Sequence, residues 1–207
     1  MIAALTGMGL AAAAGLNAYI PFLLIALMAK YTDLVVLPAS YEWIESWWAI
    51  GIGALLLLAE VVLDKIPAVD SVNDAIQTFI RPSMAGLLSA ATTGAAALDN
   101  STWMTEHPWV NIVLGVVVAG LVHAGKATAR PVVNASTLGV GAPVVSTVED
   151  GTSIGLSLVA VFLPLLVIAV LAVLAAALLW LFLLLRRRRR RRPASRRTLN
   201  RPSGRDG

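Results

Sequence analysis

The densest sets of polar side chains lie in two segments of an otherwise apolar chain. The first segment, residues 60–83, reads EVVLDKIPAVDSVNDAIQTFIRPS. Glu60 and Asp64 are four residues apart, so they share one face of a helix. So many side-chain oxygen atoms in one segment favour a polar vestibule or a cation site, in which basic residues of the same segment serve as counter-ions. The candidate residues of that site are Glu60, Asp64, Lys65, Asp70, Asn73, Asp74, Gln77 and Arg81.

The same segment is also compatible with a purely structural role. Pro67 is expected to end one helix, and Ser71 and Asp74 have the spacing of a capping box that starts a short one. Pro82 would then open the next apolar helix. In this interpretation a capped amphipathic helix lies at the membrane interface and its charges face water.

The second polar segment, residues 123–150, reads HAGKATARPVVNASTLGVGAPVVSTVED. Its basic residues follow helical spacing and favour an anionic head group or a substrate carboxylate, although anchors at a membrane boundary would look the same. Its TLGVG stretch should interrupt the helix, and non-helical backbone inside a membrane must be covered or line a wet cavity. The candidate binding residues of this segment are His123, Lys126, Arg130, Asn134, Thr137, Glu149 and Asp150.

The chain lacks the residue patterns of common enzymes. It has no cysteine and two histidines, and it contains no phosphate-binding loop, no HExxH pair and no serine nucleophile elbow. We therefore predict that the protein is not an enzyme and that it needs no cofactor, and we leave a metal site open. A lipid-modifying activity at the acidic residues around a divalent cation is the weakest alternative.

Long uncharged stretches predict the elements that position these residues. Of the 207 residues, 58% are hydrophobic and 14% are charged, which excludes an ordinary soluble globular protein. Stretches long enough to cross a bilayer cover residues 2–29, 46–63, 82–98, 108–125 and 151–185, and residues 131–148 form a weaker candidate. We expect an all-α, polytopic bundle of five to six transmembrane helices over residues 1–185.

Charge and tryptophan distribution predict the orientation. Eleven arginines in residues 186–207 form a disordered basic tail, and the run from Arg186 to Arg192 places it in the cytoplasm. Six spans put the basic residues of both polar segments on that side, and Glu149 and Asp150 outside. Five of the six tryptophans lie in the outer loops, where an aromatic belt is expected. The high isoelectric point comes from the tail, so no nucleic-acid partner is predicted.

A weak internal duplication relates residues 46–98 to residues 108–160. At an offset of 61, Lys65 pairs with Lys126, Asn73 with Asn134 and Pro82 with Pro143. In each copy a span ends at a lysine, a Val-Asn pair follows, and a proline starts the next helix. Interrupted helices at matching positions indicate a transporter-like site, with the acidic first copy attracted to the basic second copy.

Three blocks of the sequence resemble an uncharacterised bacterial family of multi-pass membrane proteins, classified as a domain of unknown function. They are TGMGLAAAAGLNAYIPFLL, DKIPAVDSVNDAIQTFIRPSMAG and the second polar segment, and the resemblance covers about residues 5–185. It implies a bacterial cytoplasmic membrane and brings no activity or catalytic residues.

Two functions from different classes follow from these patterns. The first is binding or transport of a small solute or ion between the two polar segments. The alternative is a non-catalytic membrane scaffold or assembly protein whose basic tail binds anionic lipid at residues 186–192. Small-residue helix faces, such as GLAAAAG in the first span, allow close packing within the chain or a homo-oligomer.

Overall fold

A computed structural model describes residues 2–95, 106–138 and 140–190, and this part of the chain is helical without any strand. The all-α prediction is confirmed. A 3₁₀ turn, Ala39–Glu45, precedes the third helix. The α-helices of the described residues are α1 (Ile2–Leu16), α2 (Tyr19–Tyr31), α3 (Trp47–Leu63), α4 (Pro67–Ala95), α5 (Pro108–Ser136), α6 (Gly141–Phe162) and α7 (Leu166–Arg190).

The first apolar stretch is a helical hairpin and not one transmembrane helix. α1 ends at Leu16 and α2 starts at Tyr19. The Gly15 carbonyl lies at Arg81 of α4, whereas Phe22 lies beside Met84 and Leu87, farther along α4. α2 therefore turns back along the bundle. The prediction of a single span over residues 2–29 is wrong, because the two helices, of 15 and 13 residues, are each short for a crossing.

α1 is the central helix and packs against α4, α5 and α6. A methyl group added at Gly9 would lie 2.6 Å from the Ala160 side chain, and one added at Gly15 would lie 2.6 Å from Val122. Small residues therefore let three helices approach this backbone closely. The small-residue run of the first stretch is used for packing inside the chain.

α4 and α5 each run through a proline, and Pro82 of α4 was expected to start a helix. Pro82 lies inside the 29 residues of α4, and Pro131 lies inside α5. Pro143, the predicted counterpart of Pro82, lies instead near the start of α6. The predicted pair of matching helix breaks is therefore wrong. A proline removes one hydrogen bond of a helix, and the packed neighbours of a membrane helix can tolerate that loss.

Residues 131–148 do not form a separate span. The chain turns between α5 and α6, with Leu138 in the left-handed region at a φ of 53°, and Leu138 is 94% exposed. Glu149, which was predicted outside, contacts Lys126 and Arg130, which were predicted inside. The predictions of a separate span and of a covered TLGVG segment are therefore wrong. Both α5 and α6 extend past these ion pairs, so the turn between the two helices lies beyond the charged residues.

Two described helices are long and apolar enough to cross a membrane. They are Trp109–Val133, within α5, and Gly141–Phe162; the 3₁₀ turn and α3, bent by 57°, would make a third if counted together. The five to six spans were counted from hydropathy, and helix length supports two or three of them. The helices are those of a membrane protein.

Contacts divide the chain into two units, residues 1–171 and 172–207. The second unit contains most of α7, whose helical backbone includes the first five arginines of the basic run. Residues 191–207, most of the predicted disordered tail, lie outside the described residues.

Candidate functional site: a buried charge cluster

Ionisable residues from four helices meet at the tip of the α1–α2 hairpin. The C-terminal end of α3, the first half of α4, the second half of α5 and the first half of α6 contribute them. We call this set the charge cluster: Glu60, Asp64, Asp74, Arg81, His123, Lys126, Arg130 and Glu149. Most of its members are less than one tenth exposed, so their charges must be balanced within the protein.

Asp64 is the most heavily bonded carboxylate of the charge cluster. Its Oδ2 lies 2.8 Å from Arg130 Nη2 and 3.3 Å from Lys126 Nζ, and Asn73 Nδ2 donates to Oδ1 at 2.7 Å. Asp64 follows the last residue of α3. Burial alone would raise the pKa of this carboxyl, but Lys126 and Arg130 outweigh it and lower the pKa. The side chain is therefore an ionised anchor.

Glu149 of α6 contacts the same two bases as Asp64. Lys126 Nζ lies 3.1 Å from Glu149 Oε2, and Arg130 donates both Nε and Nη2 to this carboxylate. A more distant carboxylate, Asp74 of α4, lies 4.0 Å from Arg130. The basic edge of α5 is thus held between acidic groups of α3, α4 and α6. The acidic and the basic segment thus meet mainly through Asp64, and the predicted share of Asp70 lies outside the described side chains.

Arg81 connects the rest of the charge cluster to the hairpin. Its Nη2 donates to Glu60 Oε1 at 2.6 Å, and its Nη1 donates to the Gly15 carbonyl at 3.3 Å. The guanidinium is fully buried. Glu60 lies one helical turn before Asp64, so this end of α3 presents Glu60 to Arg81 of α4 and Asp64 to both bases of α5.

Arg81 also determines the state of His123. Arg81 Nη1 lies 3.1 Å from His123 Nδ1, and Thr78 Oγ1 lies 3.0 Å from His123 Nε2. Because a guanidinium can only donate, Nδ1 must accept, and the proton of the neutral ring is assigned to Nε2. Thr78 Oγ1 in turn donates to the Asp74 carbonyl at 2.9 Å. A second proton on His123 would face Arg81, so the ring is poorly suited to carry protons.

Two bases of the charge cluster bind the open end of α1. Arg81 donates to the Gly15 carbonyl, and Lys126 Nζ donates to the Leu16 carbonyl at 3.1 Å. The last carbonyls of a helix have no partner within it and carry the negative end of its dipole. Positive charge at this point stabilises a helix end that lies inside the bundle.

Asn17 stabilises the start of α2, on the other side of the break between the two hairpin helices. Its Oδ1 accepts from the backbone N–H of Tyr19 at 3.0 Å and of Ile20 at 3.3 Å, and its Nδ2 donates to Asp150 Oδ1 at 2.9 Å. The side chain therefore satisfies the first amides of α2 and ties them to α6. Asn17 was not among the predicted site residues. The signal for it was a single amide in a long apolar run, four residues before Pro21.

Several buried polar atoms of this region lack a hydrogen-bond partner in the described part of the chain. Three are acceptors, Glu60 Oε2, Asp74 Oδ1 and Gln77 Oε1, and one is a donor, Arg81 Nε. The side chain of Gln77 lies beside the Tyr19 hydroxyl. Within the described residues, no group of three or more histidine and carboxylate side chains could hold a metal ion.

The structure brings together eleven of the predicted binding residues. Asn73 and Gln77 lie next to the charge cluster, and Asp150 joins it through Asn17. Two others lie apart: Lys65 Nζ donates to the Val61 carbonyl of its own helix, and Thr137 is exposed in the turn after α5. The side chains of Asp70 and Asn134 lie outside the described residues. The predicted meeting of Asn73 with Asn134 therefore stays a prediction.

An all-helical membrane protein with ion pairs buried at the tip of a helical hairpin is the class that this fold and site define. The chain belongs to the family described as a domain of unknown function, DUF4126, which it matches over residues 4–184. The sequence resemblance to an uncharacterised family is thus confirmed. No curated protein and no solved structure matches the chain.

Proposed function

We propose that this protein binds a small cation or cationic solute at the charge cluster and moves it across the bacterial cytoplasmic membrane, without catalysing a reaction. The observation that carries the proposal is the set of partnerless acceptor oxygens on Glu60, Asp74 and Gln77. Among the described side chains of the charge cluster, four carboxylates face three basic groups, so one negative charge is left over within this set. Ionisable residues inside membrane proteins commonly mark substrate or ion pathways.

The hairpin supports transport because it resembles the broken helices of transporters in physical terms. Interrupted backbone at membrane depth needs polar partners or a wet cavity, and transporter sites use such helix ends to hold ions and substrates. Here the carbonyls of Gly15 and Leu16 and the amides of Tyr19 and Ile20 meet the charge cluster. A ligand could exchange with Arg81 or Lys126 at these groups.

The orientation proposed from the sequence follows the arginine run, with the C-terminus in the cytoplasm and residues 186–192 on anionic lipid. Lys30, which opposes the positive-inside pattern, has a local explanation. Its Nζ donates to the Glu45 carbonyl at 3.0 Å and lies 4.8 Å from the centre of the Trp47 ring. This lysine is bound among aromatic residues and need not mark the cytoplasmic side.

A membrane scaffold is the second candidate, and the high degree of pairing favours it. Asp64, Lys126, Arg130 and Glu149 form a closed set of ion pairs. Such a set can position helices without binding anything. A homo-oligomer through exposed helix faces would suit this role.

Ligand binding and stability measured on the same purified variant separate the two functions. Asp74→Asn removes a carboxylate whose nearest base, Arg130, is 4.0 Å away, so the free energy of unfolding should change little. Glu42→Gln, in the outer loop, is the matched control that also removes one carboxylate. Calorimetry and flux into proteoliposomes with sodium, potassium and methylammonium chlorides should show saturable binding that Asp74→Asn abolishes and Glu42→Gln retains.

The scaffold predicts a different result. If the role of Asp74 is structural, its replacement should lower the free energy of unfolding by about 1–3 kcal/mol, as for other buried polar contacts. Absence of saturable binding by every cation tested, together with a lowered melting temperature in Asp74→Asn, would overturn transport in favour of the scaffold.

A further inference from the structure

An apolar cavity of 160 Å³ lies between α2, α3, α4 and the 3₁₀ turn. Aromatic side chains form much of its wall: Tyr19, Phe22, Trp43 and Trp48. Gly53 of α3 lets the Phe22 ring approach, since a methyl group there would lie 2.9 Å from the ring. A cavity of about 150 Å³ is large enough to hold a benzene ring.

The cavity leads from the surface of the bundle to its interior. At its mouth Trp48 and Ile52 are more than half exposed, whereas Tyr19 at the inner end is 4% exposed. The rings at the mouth are ordered by contact with each other: Trp43 and Trp48 stack with centroids 5.8 Å apart, and Phe22 lies 6.4 Å from Trp43. An apolar molecule dissolved in the membrane could enter here.

Tyr19 belongs both to the cavity and to the surroundings of the charge cluster. Its side chain lines the cavity, and its hydroxyl lies near Gln77, Glu60 and Arg81. Gln77 Oε1 and Glu60 Oε2 are buried acceptors without a hydrogen-bond partner. The inner end of an apolar, aromatic cavity thus adjoins two buried acceptors without hydrogen bonds, next to the Arg81 guanidinium, whose Nε is also without a partner among the described residues.

We infer that the cavity holds the apolar body of an amphipathic organic ammonium, whose N–H groups bind the acceptors of Gln77 and Glu60. The inference rests on the proposed function and names its substrate class. Charge complementarity selects an ammonium over a neutral lipophile, because the described carboxylates of the charge cluster outnumber its basic side chains by four to three and two buried acceptors here have no hydrogen bond. Aromatic walls add favourable cation–π contact along the entry path.

Three probes test the two halves of the ligand separately. Benzylammonium has both the ring and the charge, methylammonium has the charge alone, and benzyl alcohol has the ring alone. Titration calorimetry on the purified full chain should show benzylammonium binding at least tenfold more tightly than methylammonium, because roughly 60 Å² of ring surface leaves water at about 25 cal/mol per Å². It should also bind at least tenfold more tightly than benzyl alcohol, which has no charge to meet the carboxylates.

Two variants locate the binding site. Ile52→Trp enlarges a half-exposed side chain at the mouth and should weaken benzylammonium about tenfold while leaving methylammonium unchanged. Leu55→Trp, on the same helix and outside the cavity lining, is the matched control and should leave both unchanged. Gln77→Met keeps the side-chain volume but removes the acceptor, so it should weaken both cations and spare benzyl alcohol.

The possible results have distinct meanings. Equal binding of benzylammonium and methylammonium, or an unaltered ratio in Ile52→Trp, would overturn the inference and leave cation binding intact. Benzyl alcohol binding as tightly as benzylammonium would overturn it too, because the cavity would then accept any lipophile, including a lipid chain. If sodium, potassium and both ammonium probes all fail to bind, the proposed function falls together with the inference.

Discussion

Replacing Asn17 tests whether the hairpin tip depends on a single side chain. Asn17→Ala removes the acceptor for the Tyr19 and Ile20 amides and the donor to Asp150. Asn17 is 1% exposed, so water cannot replace these bonds without a rearrangement of the tip. The variant should therefore fold less stably while its apolar packing stays the same.

The expected loss follows from the two kinds of bond. Removing a helix N-cap costs about 1 kcal/mol, and a hydrogen bond to a charged group contributes about 1.5–3 kcal/mol. Because Asp150 is partly exposed, the second contribution belongs at the lower end of its range. Asn17→Ala should thus lose about 2–3 kcal/mol, which corresponds to a melting temperature lower by roughly 4–12 °C for a chain of this size.

Two further variants divide this loss into its parts. Asn17→Ser keeps an acceptor for the cap but cannot reach Asp150, so it should recover about 1 kcal/mol relative to alanine. Asn17→Asp also caps α2 but places a carboxylate against Asp150, and it should be no more stable than serine. Equilibrium unfolding in detergent provides the measurement. An alanine variant within 0.5 kcal/mol of the unmodified protein, at roughly the level of a neutral surface change, would refute the role of Asn17.

Three other predictions concern the ion pairs, the topology and the tail. Arg81→Met should destabilise the fold by about 3–5 kcal/mol, because it leaves Glu60 buried without its partner. Adding Glu60→Met should recover much of that loss. Additive losses in a double-mutant cycle would contradict the pairing. Cysteines placed at Ser46 and Leu138 should label from opposite sides, outside and cytoplasmic respectively, and labelling from one side would refute this topology. Truncation after Arg192 should leave membrane insertion and unfolding unchanged, and a failure to insert would make the tail structural.

Sequence patterns located the charge cluster well because its residues are rare in this chain. Glu60, Asp64, Lys126 and Arg130 interrupt long apolar stretches, and charges in such positions must pair or reach water. The sign of each segment also predicted the contact between them, since an acidic stretch of α3 and α4 meets a basic stretch of α5. Local composition was sufficient for this part of the site.

The hairpin could not be predicted because its stabilising groups are distant in sequence. Residues 2–29 have the length and composition of one span, and the break near Asn17 exposes backbone groups that lipid cannot satisfy. Arg81 and Lys126 satisfy the carbonyls from 66 and 110 residues away. No window of local sequence contains that information.

The sequence interpretation was wrong about Pro82 because the effect of a proline on a helix also depends on the helices packed around it. Pro82 was expected to start a helix, yet α4 passes through it. A proline breaks a helix when the lost hydrogen bond and the displaced ring cannot be accommodated, and both depend on neighbouring helices. Pro82 and Pro143, one of the residue pairs behind the weak duplication, therefore differ in the structure: Pro82 is internal to its helix and Pro143 lies near the start of one.

The number of buried charges exceeds what the hairpin needs. Its two carbonyl contacts require Arg81 and Lys126, and each of these needs one carboxylate for balance. Arg130, Asp74 and Glu149 add further charge without touching the hairpin backbone. Buried ion pairs are often no more stabilising than well-packed apolar side chains, so stability alone does not account for them. Additional charge around acceptors without hydrogen bonds is what the proposed site, in which a ligand replaces internal ion pairs, would require.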